Sequence, residues 1–291
     1  MSFAQLKANR AAQLAKMQEQ IEKMNTGAVY FKPDENRWSP TLDKAGNATV
    51  VLRFLPAPEG EEEEYVKEVA YSFTGPSGLK YYAESPTTIG GKDPVKELND
   101  RLWATKKKED EEQARNQRRL LNFYSNVMII KNSNKPEDEG KVFVWRYPRT
   151  IFKMLEKVMA PPEDEEEAKL FVPINPFDLW EGANFRLKIK QKGGFWNYDD
   201  SKFDPAGPLS TDDKQMEAIW KQCHSLQAYL DPSRFKSYDD LKARLQKVLT
   251  GEAPEKENTS TANQNAQNTT RPEVSEEKSD NLDQLLAKLA G

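Results

Sequence analysis

The 291-residue sequence has almost no soft metal ligands: its single cysteine, Cys223, sits next to its single histidine, His224. A lone cysteine excludes an internal disulfide framework and fits a reducing compartment. An adjacent Cys-His pair with no third soft ligand is poor zinc chemistry, so both residues are expected to pack within a helix. Long apolar runs are missing as well. None approaches the ~20 residues a membrane helix needs, and the N-terminus lacks the apolar core and small-residue cleavage site of a signal peptide. Neither a P-loop nor a Gly-x-Gly-x-x-Gly turn occurs, which argues against an ATP-driven motor and against a dinucleotide enzyme. A large excess of one charge is also absent, the net value being −4. That figure hides a division: residues 251–291 hold eight acids and four bases, which leaves the first 250 residues formally neutral. Within those, acids collect at Glu61–Glu64, Glu109–Glu112 and Glu163–Glu167, and bases at Arg115–Arg119 and Arg186–Lys192. Segregated charge of this kind creates local fields whose sign the net value conceals.

The stretch Trp180–Phe203 shows most plainly what the chain touches. Phe185, Leu187 and Ile189 alternate with Arg186, Lys188 and Lys190, a period of two that sets an apolar row on one face of a strand and a cationic row on the other. Lys192-Gly193-Gly194 reverses the chain, and Phe195, Trp196 and Tyr198 follow. Cations can track a phosphate backbone while aromatic faces stack on unpaired bases. The plainer reading is a half-buried strand beside a core aromatic cluster.

Elsewhere, Phe3–Met24 reads as a basic helix with Leu14, Met17, Ile21 and Met24 on one stripe, either packed on its own domain or docked on another molecule. Strands are expected at Ala48–Leu55, Tyr65–Phe73, Phe123–Lys131 and Lys141–Tyr147. A charged helix is expected over Val95–Arg119, with further helices at Ile151–Met159, Asp212–Leu230 and Tyr238–Leu249. Residues 251–280 are too polar to bury a core and should be disordered, whereas Leu282, Leu285, Leu286 and Leu289 form one face of a short recognition helix. The pattern predicts a mainly β, α+β chain with an oligonucleotide-binding (OB) Greek-key barrel and helical inserts. Its parts would be a basic N-terminal arm at 1–25, the core at 26–250 and an acidic tail at 251–291.

Gly46-Asn47 leading into Val51–Pro56, then Glu139–Phe143, Trp180–Phe185, Gly194-Phe195, Asn197–Asp199 and Ser201–Phe203 resemble, in the same order, the single-stranded DNA-binding (helix-destabilising) protein of T-even-type bacteriophages. The resemblance implies a binding protein, not an enzyme, that coats single-stranded DNA cooperatively in phage replication, recombination and repair, in the cytoplasm of the infected bacterium. It implies base stacking by Trp103, Phe123, Tyr124, Trp145, Phe195 and Tyr198, with one family tyrosine replaced at or near Ala114; Trp196 joins them from the hairpin. Arg118, Arg119, Arg146, Lys188, Lys190 and Lys192 would contact phosphates, Lys7 and Arg10 would echo a protomer-contact motif, and the tail leucines would bind replication partners. Where the type member holds zinc, this chain offers Tyr71, Ser85, Asp93 and Lys96, so no metal and no cofactor are expected. Two other classes share the features: a single-stranded RNA-binding translational repressor, and a metal-dependent nuclease built on Asp199, Asp200 and Asp204.

Overall fold

The computed structural model describes residues 34–251, all of them inside one compact unit, Met1–Pro254. The described chain is a mixed α+β fold with an open sheet of nine strands. These are β1 (Arg37–Trp38), β2 (Ala48–Phe54), β3 (Val66–Thr74), β4 (Lys80–Glu84), β5 (Arg119–Asn132), β6 (Val142–Pro148), β7 (Phe185–Lys192), β8 (Phe195–Asn197) and β9 (Lys202–Phe203). The main path runs β1-β6-β5-β2-β7-β8, with β3 also on β5, β4 on β3 and β9 on β7. β5 is the spine. Its first half pairs with β3 (Tyr71 opposite Arg119, Val66 opposite Tyr124), its second half pairs with β2 (Phe54 opposite Val127, Val51 opposite Lys131), and β6 takes the other edge.

Six described helices accompany this sheet: α1 (Pro94–Ala104), α2 (Lys108–Asn116), α3 (Arg149–Met159), α4 (Glu165–Leu170), α5 (Asp213–Trp220) and α6 (Tyr238–Thr250). The apolar side of α3, Ile151, Phe152 and Leu155, closes a core with Phe54, Phe123, Trp145, Tyr147 and Phe185. The alternation in β7 is as the sequence predicts: Phe185, Leu187 and Ile189 are buried in that core while Arg186, Lys188 and Lys190 face out.

Two expected helices differ. The single helix over 95–119 is two, because the Thr105 hydroxyl turns back to the Leu102 carbonyl (2.9 Å) and onto Asp110 (2.6 Å), and Lys106 takes φ 57°, outside helical space. Arg119 belongs to β5. The helix expected over 212–230 stops at Trp220, since buried Asn126 captures the backbone N–H and carbonyl of His224 (2.9 Å each) and Glu61 accepts from Ser225 (2.5 Å) and Leu226 (3.0 Å). Cys223 and His224 therefore lie in the irregular stretch after α5, not in a helix, and burial pushes the Cys223 thiol up to about 12.

One buried cation ties the sheet to the Trp180 segment. Arg53, 1% exposed, follows Thr49 and Val51 on β2 and donates to the carbonyls of Asp178 (2.8 Å) and Gly207 (2.9 Å). Gly182 fills the tightest point: a Cβ there would lie 2.2 Å from the Asp178 carbonyl oxygen and 2.8 Å from Arg53 Nη2.

The lobe made by β3, β4 and α1 is closed by α6, whose Leu241, Leu245, Val248 and Leu249 are buried against it. Gly75 allows the backbone contact, since a Cβ would fall 2.3 Å from the Val248 carbonyl oxygen, which Ser77 Oγ reaches at 2.5 Å. Tyr71, Ser85, Asp93 and Lys96 are each engaged within this lobe. Ser85 caps a short 3-10 turn; Asp93 caps α1 by accepting from Val95 N (2.8 Å) and Lys96 N (3.2 Å); Lys96 pairs with Asp100 (2.5 Å). Tyr71 is buried, and burial together with the Asp93 charge pushes its phenol up to about 12. Beside it Phe73 and Tyr81 stack at 5.0 Å. Packing thus holds the lobe. Leu245→Ala should cost about 2–5 kcal/mol, read as a lower midpoint in chemical denaturation. The unmodified protein should melt identically with and without a strong chelator, and a chelator-induced drop would refute the assignment.

Candidate nucleic-acid interface

Two basic surfaces stand at opposite ends of β5. At its start, α1, α2 and β3 enclose a cleft of about 610 Å³ in which Trp103, Arg118 and Arg119 meet Lys67, Lys96 and Arg115. Trp103 is 42% exposed, with the Arg115 guanidinium 5.2 Å from its ring centre, so one face is occupied and the rest is open. Lys67 lies in the cleft because it shares the face of β3 with Val69 and Tyr71, which line it too.

The second surface is the outer face of β7. Gly193 and Gly194 adopt φ 59° and 83°, the positive values a tight hairpin turn of this hand requires. Register then decides which aromatic joins the cations. Lys192 faces Phe195 directly, and Lys190 faces Asn197, so Phe195 stands on the same face as the lysine row; Trp196 opposes Gln191 and points to the other side. Phe195 is 79% exposed. The row extends sideways as well, because Arg186 lies opposite Val51, which lies opposite Lys131. Along an extended β5 the distance from Arg119 to Lys131 is at most about 40 Å.

The cations of this row are not all free. Arg186 pairs with Asp204 (2.5 Å) and Lys190 with Asp200 (2.5 Å), whose carboxyl is held below the usual range by its hydrogen bond and charge contact with Lys190. Asp199 accepts from Asn197 (2.6 Å). The three carboxylates suggested as nuclease ligands are thus each engaged by a neighbour, and no group of three or more His, Cys, Asp or Glu side chains that could hold a metal occurs among the described residues. Lys188 and Lys202 line the same cleft of about 580 Å³ without an ion pair among the described residues.

The other expected stacking residues are placed differently. Phe123 is 2% exposed, with Phe152 parallel to it at 3.8 Å and Tyr147 at 6.0 Å. Trp145 is buried among Trp38, Phe54 and Tyr147. Tyr124 stacks on Tyr229 at 4.4 Å and donates to Glu68 (2.5 Å). Tyr198 is half-buried against the main core, and burial raises its phenol pKa. None of Phe123, Tyr124 and Trp145 offers an open ring face in this conformation. Arg146 points inward as well: it pairs with buried Glu68 (2.5 Å) and donates to the Tyr82 hydroxyl (3.1 Å). Only the fold shows this, since an acid in the middle of β3 and an arginine in β6 meet across β5. Lys67, Lys96, Lys131 and Lys202 are additions to the basic surfaces; only strand register and helix placement reveal them. Lys7, Arg10, Leu282, Leu285, Leu286 and Leu289 lie outside the described residues.

A sheet whose outer face carries a cationic row ending in an open aromatic ring, with a second basic cleft around an exposed tryptophan, has the surface chemistry of a nucleic-acid-binding protein. Residues 46–249 match the family described as "gp32 DNA binding protein like", and the chain belongs to that family. It is 31% identical over 242 residues to the "Single-stranded DNA-binding protein" of Enterobacteria phage T4, covering 81% of this chain and 77% of the relative. The protein of the same description from Enterobacteria phage T2 is 31% identical over 249 residues, covering 83% of this chain and 77% of that one.

The paired carboxylates lead to a prediction of sign. Phosphates must displace Asp200 and Asp204 to reach Lys190 and Arg186, so the double variant Asp200→Asn, Asp204→Asn should bind single-stranded DNA more tightly at low salt. Its log K against log salt should steepen by up to about 1.4, at roughly 0.7 per added phosphate contact. An unchanged slope in a salt titration would show that the row does not meet the backbone.

Proposed function

We propose that the protein coats single-stranded DNA without sequence preference, protecting it during phage replication, recombination and repair in the cytoplasm of the infected host. The observation that carries this is the exposed Phe195 directly across from Lys192 at the end of the β7 cationic row. Family membership and the names of the two relatives support it. Stacking comes from Phe195 and Trp103, with Trp196 on the far side of the hairpin; Lys188, Lys190 and Lys192 take phosphates at one end of β5, and Arg118 and Arg119 at the other. Tyr198 supports the hairpin from below. Phe123, Tyr124, Trp145 and Arg146 reach DNA only if their present neighbours part, so they serve the site first as its floor. The strands fit an OB-type core in which β5 is shared between two halves of the sheet. On this reading the protein is a binding module with no catalytic step, and it needs no metal. Residues 1–25 carry protomer contacts through Lys7 and Arg10, and the leucines of 251–291 recruit replication proteins.

The separation of charge and stacking makes the reading testable. Lys188→Ala with Lys190→Ala should flatten the salt slope by about 0.7, the share of Lys188, because Lys190 is already paired with Asp200, whereas Phe195→Ala should lower affinity by about 1–3 kcal/mol and leave the slope unchanged. Trp196→Ala should cost less than Phe195→Ala. Equal slopes in all variants would refute the assignment, as would an RNA oligomer that competes on equal terms with DNA of the same sequence.

The acidic tail gives a further test. The eight acids of residues 251–291 can compete with phosphates for the basic surfaces at low salt. Ending the chain at Thr250 should tighten binding below physiological ionic strength, with the difference fading as salt rises. Identical low-salt isotherms for the two proteins would contradict this.

A further inference from the structure

The hairpin at the end of β7 outruns the rest of the sheet. β2 begins at Ala48, opposite Ile189, and β9 pairs only with Phe185 and Arg186, so from Lys190 onward β7 has β8 alone beside it. From Ile189 to the turn at Gly193 this ribbon projects about 13 Å. Every residue from Gln191 to Trp196 is exposed, on both sides of the ribbon. The two sides differ in chemistry. Lys190, Lys192 and Phe195 share one side, whereas Gln191 and Trp196 share the other, which carries no charged side chain of residues 190–197. Trp196 is 47% exposed, and it alone among the six tryptophans has no hydrogen-bond, ring or cation partner among the described residues. Trp180 and Trp220 donate their indole N–H groups to Asp213 (2.9 Å) and to the Ala57 carbonyl (2.8 Å), and Trp38, Trp103 and Trp145 each meet another ring or a guanidinium.

Two open rings on opposite sides of a thin ribbon call for two occupants. A single strand that follows the lysines reaches Phe195, on their side. The side of Trp196 has no hairpin cation to hold a phosphate backbone, so a base that stacks there must be delivered by DNA held elsewhere. A junction between single and double strand meets that condition, because one strand lies on the lysine row while the other is tethered to it through the duplex. We propose that the β7–β8 hairpin is a seat for such a junction, with Phe195 stacked on the base of the strand along the lysines and Trp196 on that base's former partner in the displaced strand. The inference rests on the DNA-coating reading above and adds a second class of DNA to it. Apolar side chains inserted between bases give up the stacking of a base step, and here each of the two separated bases regains a ring. The leading edge is narrow, since Gly193 and Gly194 carry no side chains and have nothing within 4 Å of where a Cβ would stand.

The experiment uses the full-length protein and three DNAs that share one sequence: a single-stranded oligomer that holds one protomer, a duplex extended by that oligomer as its only arm, and the same duplex with a second unpaired arm too short to hold another protomer. The unmodified protein should bind the two-armed DNA about tenfold more tightly than the one-armed DNA, which is what one further stacked base contributes. Trp196→Ala should abolish that preference while costing the oligomer much less, and Trp196→Phe should restore most of it. Phe195→Ala should weaken binding to all three DNAs. Both positions are exposed on a ribbon outside the core, so these substitutions leave the packing of the sheet intact. Equal affinities of the unmodified protein for the one-armed and two-armed DNAs would overturn the junction seat and leave the coating reading standing. A Trp196→Ala loss as large on the oligomer as on the two-armed DNA would overturn it too, since the ring would then serve the single strand. Failure of the unmodified protein to bind the oligomer would instead remove the coating reading itself.

Discussion

A single buried guanidinium fixes the relation between the sheet and the surfaces it displays. Arg53 lies in the central strand β2, where desolvation lowers its pKa and the charge of Asp178 partly opposes that. A cation at such a depth persists only because carbonyl oxygens converge on it, from Asp178, from Gly207 and more distantly from Leu179 at 3.5 Å. Those carbonyls belong to the segments that enter β7 and leave β9. The guanidinium therefore sets where the cationic hairpin begins. Each carbonyl left unmatched would carry a penalty of about 1–3 kcal/mol. Gly182 is part of the same arrangement, since any side chain would push the Asp178 carbonyl off the arginine.

Around that joint the surface is divided by sign. Bases gather at both ends of β5 and along β7, while Glu61–Glu64 and the start of α5 are acidic. The division lets one small protein present DNA with a cationic face at a net charge close to balance. Asp200 and Asp204 sharpen it locally, since they occupy two cations whenever no phosphate does.

How much of this was legible in the sequence depended on whether the signal was local. The period of two in Phe185–Lys190 and the paired glycines gave the β7 hairpin and its cationic face directly, because strand alternation and positive φ are properties of a few adjacent residues. The helix breaks at Thr105 and Trp220 were not visible, since a threonine hydroxyl and the distant side chains of Asn126 and Glu61 make them. Aromatic residues were the hardest to sort. Phe123, Trp145 and Phe195 look alike in sequence, yet the first two are sealed by Phe152 and Trp38 while Phe195 stands clear beyond the turn. Burial is decided by what arrives from elsewhere in the chain. The same holds for Arg146, whose partner Glu68 is 78 residues away.

The sharing of β5 among three strands has a consequence for the time at which the protein becomes whole. β2 must wait for β5, whose Asn132 pairs with Val50, and then for β7, whose Ile189 pairs with Ala48. Pairings between such distant stretches close late, because chain must be looped out before any contact rewards it. On a ribosome delivering about 5–20 residues per second, both edges of β2 stay bare for several seconds after it emerges. During that interval Arg53 has none of its carbonyl partners, as residues 178–207 have yet to be made. A nascent β2 thus keeps a solvated charge among its valines and leucines, a feature that discourages stray strand pairing until the right partner is synthesised.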